Sequence, residues 1–211
     1  MKIYKYHTIN TFLLQSLLQE TNWYCKLHLL NDPFECFFFD NTNSDIYKTF
    51  TSTLCVCCFS KIMDEILMWS HYANNHKGVC LEFEIFDEEI IKGQLLDINY
   101  DDNISSIDTV ERLPLGHLSL NITANGKFLK TKFKNWSYEQ ELRTYVLDED
   151  VNSNGKAKPF LGRLTAIYFG RNSSLPNVEL VKTNSAHLGK VKYYSVELNT
   201  TTMKMEILRE M

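Results

Sequence analysis

CFSKIMDEILMWSHYANNHKGVCLEF, residues 58–83, packs a strand end, a short aromatic helix and a second strand into one stretch. It continues from LCVCCF, residues 54–59, a short continuous apolar run of the kind that forms a strand covered on both faces, with Ser60 at its end. Over residues 62–74 the helical projection puts Ile62, Ile66, Trp69 and Ala73 in one stripe, His71 on the opposite side and Tyr72 on the flank. Trp69 is then an anchor, and His71 is left for solvent or for a site. Gly78 fits a helix stop, and VCLEFEIF, residues 79–86, alternates at period two. Val79, Leu81, Phe83 and Ile85 share one face; Cys80, Glu82, Glu84 and Phe86 share the other, which is part acidic. Strand, short helix and alternating strand in this order predict an α+β fold with a mixed, mainly antiparallel sheet and short helices.

Upstream, IYKY at residues 3–6 reads as a first strand that ends beside His7, and Thr8 or Asn10 can cap a helix whose Leu14, Leu17 and Leu18 face the core. WYCKLHLL, residues 23–30, reads as a second strand closed by the turn NDPFE, residues 31–35, where Asn, Asp and Pro favour a bend. Phe34, Phe37 and Phe38 then return the chain to the core, and residues 41–44 form a polar loop. Downstream, DEEI at residues 87–90 can open a short helix, and LLDINY, residues 95–100, is another strand. Residues 101–125 show no strong period, with helical pieces possible on either side of Pro114. YEQELRTYV, residues 138–146, alternates so that Glu139, Glu141, Arg143 and Tyr145 share one strand face. Residues 148–159 read as a flexible loop, and LTAIYFG (164–170) and KVKYYSVEL (190–198) as late strands.

The chain of 211 residues is long enough for a sizeable core and reads as a single domain, residues 1–211. A hydrophobic share of 44% against 23% charged excludes disorder and fibrous architectures. The apolar runs are too short to span a bilayer, and the start, MKIYKYHTIN, lacks the apolar stretch of a signal peptide, so a cytoplasmic protein without membrane contact is expected. The six cysteines lie mostly in apolar runs, and no second pair at zinc-ligand spacing joins those of residues 55–58, which predicts reduced, buried thiols and no metal. A net charge of −4 excludes a broad nucleic-acid surface.

One local exception is GKFLKTKFKNWSY, residues 126–138, where lysines alternate with aromatic residues and no acid intervenes. Lys132, Lys134 and Trp136 are candidates to meet phosphates, stacked rings or a nucleic-acid strand, against the plainer account of a solvated helix face. In the row Glu139, Glu141 and Arg143, neighbouring like charges raise one carboxyl pKa while the guanidinium lowers the pair, an arrangement able to position a cationic or hydroxyl group. The plainer account is an ion-pair ladder on a solvated edge. No GxSxG elbow, phosphate loop or GxGxxG turn occurs, so serine-hydrolase and common nucleotide-fold chemistries are unsupported. His71 and His76, five apart, point to different helix faces and make poor joint metal ligands.

These motifs together (YKYH, NDPFE, CFS with LMWSHYANNHKGVCLEF, the set Lys132, Trp136, Tyr138, Glu139, Glu141, Arg143, and IYFG at 167–170) resemble a bacterial family described as a domain of unknown function, number 2971, nearly end to end. The chain departs from it at His7, where many relatives of that family have Arg after the KY pair. A weaker resemblance, to ADP-ribosyltransferases, lies in the order of parts: an N-terminal strand with a basic residue, a central strand followed by an aromatic helix, and a late Glu-x-Glu strand. That resemblance implies an NAD-dependent ADP-ribosyl transferase of defence or toxin type, with Glu141 as the catalytic carboxylate and Glu139 orienting the acceptor. Tyr72 would then stack on nicotinamide, His7 with Ser60 would contact the ribose side, and His71 and Arg143 would also meet the cofactor. The alternatives are a non-enzymatic binding module that uses Trp69, His71 and Tyr72 with Glu139, Glu141 and Arg143, and a hydrolase or nuclease-like enzyme using His71 and the acidic strand. Whether Glu141, Tyr72 and His7 converge on one cleft discriminates among them.

Overall fold

The computed structural model describes residues 1–32, 52–85, 95–102, 127–150 and 152–211. The expected turn at 33–35, the core return at Phe34, Phe37 and Phe38, the loop 41–44, the short helix at 87–90 and the helical pieces around Pro114 lie outside those residues.

Among the described residues ten strands join one sheet. At its centre β1 (Lys2–His7) runs antiparallel to β4 (Val79–Glu84) along its whole length, and β4 pairs in turn with β10 (Arg163–Phe169). β11 (Lys192–Asn199) adds in parallel to β10, and β12 (Lys204–Glu210) closes that edge antiparallel. The parallel step needs a crossover, supplied by a helix at Leu175–Ser185 that buries Val178 and Val181. On the other side β3 (Leu54–Ser60) pairs along its length with β8 (Glu141–Leu147), which also takes the short β5 (Leu96–Asp97). β2 (Thr21–Lys26) carries the far edge strand β9 (Gly155–Pro159). A separate parallel pair joins β6 (Asn99–Asp101) to β7 (Thr131–Phe133). The fold is therefore α+β with a mainly antiparallel sheet, as the alternation in the sequence predicts. No helix among the described residues is long and apolar enough to cross a membrane.

The join between the two halves positions the site. β1 meets β3 through Tyr4 and Ser60, whereas β2 meets it at Cys25–Val56 and Lys26–Cys55. Between those points β1 and β2 diverge, and on that edge residues 57–59 of β3 border a cavity, while their other edge stays paired with β8.

The elements correct several expectations. Helix α1 (Thr11–Gln19) is capped by Asn10, whose side chain accepts from the Leu13 N–H at 3.0 Å, and this phase buries Leu13 and Leu17 while leaving Leu18 55% exposed. The run 23–30 does not stay extended: β2 ends at Lys26 and a 3-10 turn, Leu27–Leu29, follows. Helix α2 spans Ile66–Tyr72, so Ile62 lies outside it. Residues 62–63 are instead fixed as loop by two side chains, Tyr6 donating to the Ile62 carbonyl at 3.0 Å and Trp69 to the Met63 carbonyl at 2.8 Å. α2 stops well before Gly78, because Asn74, Asn75 and His76 all take positive φ (48, 52 and 64°). Gly78 instead permits a close approach of two backbones, since a Cβ there would stand 2.1 Å from the His7 carbonyl oxygen.

Both faces of β4 are buried, including its Glu82, because the strand is central. Residues 95–100 form two short strands broken at Ile98. The lysine-rich segment is a single turn of helix, α3 (Lys127–Lys130), then β7 and a 3-10 helix at Lys134–Glu139, not one solvated helix. The expected loop 148–159 contains β9, whose lysines disguise an edge strand. The crossover helix, α4, and β12 were not anticipated by the sequence pattern.

Candidate functional site

The cavity has a volume of about 340 Å³ and is walled by the diverging strands β1 and β2, residues 56–60 of β3, one side of α2 and the start of β8. Its apolar surface comes from Tyr6, Trp23, Leu29, Phe59 and Met68. Of the residues expected to form a site, His7, Ser60, Tyr72, Lys132, Glu139 and Glu141 all line it. The convergence of Glu141, Tyr72 and His7, which are 134 residues apart at the extremes (141 − 7), is thus a property of the folded chain.

The two glutamates arrive by different routes. Residues 138–146 do not form one strand: the 3-10 helix ends at Glu139, Gln140 turns the chain with φ 42°, and β8 begins at Glu141. Glu139 and Glu141 therefore do not share a strand face with each other, and they are buried, not laid along a solvated edge. Lys132, from β7, brings them together. Its ammonium lies 2.6 Å from Glu139 Oε2 and 3.0 Å from Glu141 Oε2. Glu141 Oε1 accepts from Arg143 Nε at 2.8 Å, and Glu139 Oε1 accepts from the Tyr72 hydroxyl, which itself accepts from Asn31 at 2.6 Å. Tyr100 closes the other end, its oxygen accepting the Glu141 backbone N–H at 2.7 Å. Among the described residues two acids stand against two cations here, the kind of pairing under which buried charges are tolerated.

This network drives the two acids apart. Burial alone would push both carboxyls up. At Glu141, Arg143 and then Lys132 outweigh burial and hold the group down to about 2. At Glu139, burial wins over Lys132 and Tyr72, and the carboxyl sits above its ordinary range. The Tyr72 hydroxyl is pushed far up, by burial first and by the Glu139 charge second, so it remains a hydrogen-bond donor.

The other expected residues fall around this core. Arg143, 1% exposed, does not line the cavity; it orients Glu141 from behind. The Ser60 hydroxyl donates to the Glu139 carbonyl at 2.7 Å and accepts from the Ile62 N–H, so it ties the end of β3 to the 3-10 helix. His71 is exposed and stands outside the cavity, its ring 6.2 Å from Tyr138. Trp136 continues that row, 6.2 Å from Tyr138, with Lys132 over its ring at 5.0 Å. Lys134 is exposed and pairs with Asp102 at 3.2 Å. Cys25, Cys55, Cys57, Cys58 and Cys80 are in no disulfide, and no cluster among the described residues is placed to hold a metal ion. Sequence reasoning missed Lys5, Asn31 and Tyr100. Only Lys5 carried a signal, since it lies two residues before His7 and so on the same face of β1.

His7 gives the site a pH signature. Burial, and then the charge of Lys5, lower its imidazole from 6.5 to about 3, so it is neutral in the folded protein. The unfolded chain takes up this proton near 6.5, so the contribution to stability is complete above that pH and drains as pH falls toward 3. By pH 5 the loss should be on the order of 2 kcal/mol. Urea midpoints at pH 7.5 and 5 measure it, and His7→Gln should show a clearly shallower dependence; equal slopes in the two proteins would contradict the assignment.

Residues 68–144 match the family described as a protein of unknown function, DUF2971. The match takes in α2 from Met68 onward, Lys132, Glu139, Glu141 and Arg143, whereas the YKYH, NDPFE and IYFG motifs lie outside it. No curated protein and no solved structure matches the chain.

Proposed function

We propose that the cavity takes the nicotinamide riboside end of NAD and that the chain transfers its ADP-ribosyl group by opening the N-glycosidic bond. The observation that carries this reading is the pair Glu139 and Glu141, held on one lysine at the cavity wall with their acidities driven to opposite sides of the ordinary range. Acids separated in this way divide the work of a reaction between them. Glu141 stays ionised and supplies fixed negative charge as C1′ of the ribose becomes oxocarbenium-like. The C1′–N bond breaks, and its electron pair leaves on the nicotinamide nitrogen. Water or an acceptor hydroxyl then bonds to C1′ and gives its proton to Glu139, whose raised pKa makes it the stronger base. The aromatic and apolar wall suits a flat ring, and the volume, at the small end for ligand sites, suits a nucleoside-sized group and not a whole dinucleotide. The order of parts shared with ADP-ribosyltransferases supports the reading by analogy.

A second reading, binding without turnover, is favoured by the closure of the network, since all four carboxylate oxygens already accept a hydrogen bond. Thermal shift with NAD and an assay of released nicotinamide separate the two. On the enzymatic reading NAD raises the melting temperature, nicotinamide appears, and Glu141→Gln keeps the shift while losing the release. A shift without release in either protein supports the binding module, and a flat titration without release ends the NAD reading.

A further inference from the structure

We infer that the Lys5 amine is a nucleophile of the cavity, placed to form an imine with an aldehyde or ketone whose flat apolar body lies along Trp23 and Met68. The inference rests on the cavity itself and not on the glycosidic chemistry proposed for its Glu139–Glu141 end.

The surroundings of the nitrogen are the starting point. Lys5 lines the cavity from β1. Among the described residues its Nζ donates to the Cys58 carbonyl at 2.9 Å, meets the Cys57 thiol and stands over the Phe59 ring at 5.2 Å. None of these is a carboxylate, and the acids of the site are engaged elsewhere, Glu139 by Lys132 and Glu141 by Lys132 and Arg143. A carbonyl oxygen accepts from a neutral amine as well as from an ammonium, so it holds the nitrogen in place in either form. A ring face attracts a cation only weakly.

Burial is the largest influence on this amine and favours its neutral form; thiolates at Cys57, Cys58 and Cys25 would oppose it. Those thiols keep their protons. Burial pushes Cys57 and Cys25 up against the pull of Lys5, and the Cys58 thiol donates to Glu141. Tyr24, raised by burial, stays a neutral phenol, and His7, on the same face of β1, is a neutral imidazole. The amine therefore gives up its proton more readily than a lysine in water, of which roughly one part in 2,500 is neutral at pH 7. A desolvated amine at the wall of an apolar recess is the arrangement by which lysines attack carbonyl carbon. The nitrogen lone pair bonds to that carbon, the C–O bond breaks, and the oxygen leaves as water with the two amine protons.

The test is competitive labelling of the wild-type protein with benzaldehyde and cyanoborohydride, whose hydride traps an imine as a benzyl amine, followed by peptide mass spectrometry. Lys77, exposed on the turn after α2, is the internal reference. At pH 7 Lys5 should be labelled at least about five times faster than Lys77, because more of its amine is neutral. The ratio of the two rates, which removes the pH dependence common to both, should then fall by pH 9 as the reference amine gains neutral form faster than Lys5 does. A smaller ratio at pH 7, or one that does not fall between pH 7 and pH 9, would overturn the assignment. Neither reagent acts on a glycosidic bond, so the presence or absence of nicotinamide release leaves these results standing.

Discussion

Lys132→Met is expected to lower stability by about 3–5 kcal/mol at pH 8, the range found when one partner of a buried ion pair is removed. The ammonium is 3% exposed and is the shared partner of Glu139 and Glu141. Without it Glu141 keeps Arg143, but Glu139 keeps only the hydroxyl of Tyr72 for its charge. The Glu139 carboxyl, already raised by burial, then rises further. A carboxyl whose folded pKa exceeds its unfolded one binds its proton more tightly in the folded state, so stability is lost as pH climbs from the unfolded value through the folded one. The penalty should therefore be greatest at pH 8 and smaller near pH 5, and Lys132→Met combined with Glu139→Gln should recover much of it. Urea denaturation of the wild type and both variants at the two pH values provides the measurement. A loss below about 1 kcal/mol at pH 8 would show that the three groups are not a buried network.

Gly78→Ala is expected to cost about 3 kcal/mol or more, at the upper end for an added methyl in a packed interior. The reason is space and not backbone conformation. The new Cβ would meet the His7 carbonyl oxygen at 2.1 Å and the Cα and carbonyl oxygen of Ala73 at 2.9 Å, all of them backbone atoms that yield only if a strand or a helix end moves. His7 pairs with Val79 at the end of the β1–β4 ladder, so relief of the clash displaces the residue that closes the cavity. The variant should therefore lose the pH signature of His7 along with its stability. A melting temperature within about 2 °C of wild type would show that this end of the ladder is slack.

How much of this the sequence disclosed depends on the range of the forces involved. β1, β3, β4 and β10 were legible because burial imprints an apolar run or a period of two on each strand separately. The placement of Glu139 was not. Residues 138–146 alternate well enough to pass for one strand, and nothing in a glutamine announces the left-handed turn at Gln140. Lys132 looked like a solvated or phosphate-seeking lysine because its two acidic partners, although close in sequence, reach it only once β7 and β8 are in place. β9 was hidden by its charges, since Lys156 and Lys158 on an edge strand look like those of a loop. The crossover helix had a local sign in Ser174 followed by Pro176, a cap and a first-turn proline, but its weak amphipathic pattern gave no stripe to follow. The candidate residues themselves were readable as chemistry before they were readable as geometry.

The divergence of β1 and β2 along β3 has a consequence for how this chain can be divided. The family match starts at Met68 and ends at Thr144, and it contains the acids, their lysine and the aromatic helix from Met68 onward. The opposite wall comes from residues 4–7, 23–31 and 56–60. Neither part encloses anything by itself. The recess is a gap between strands whose hydrogen bonds join the first sixty residues to the last third of the chain, so it is created by assembly of the whole sheet and has no precursor in any contiguous piece. Excising the recognisable middle would keep the reactive groups and discard the space in which they act.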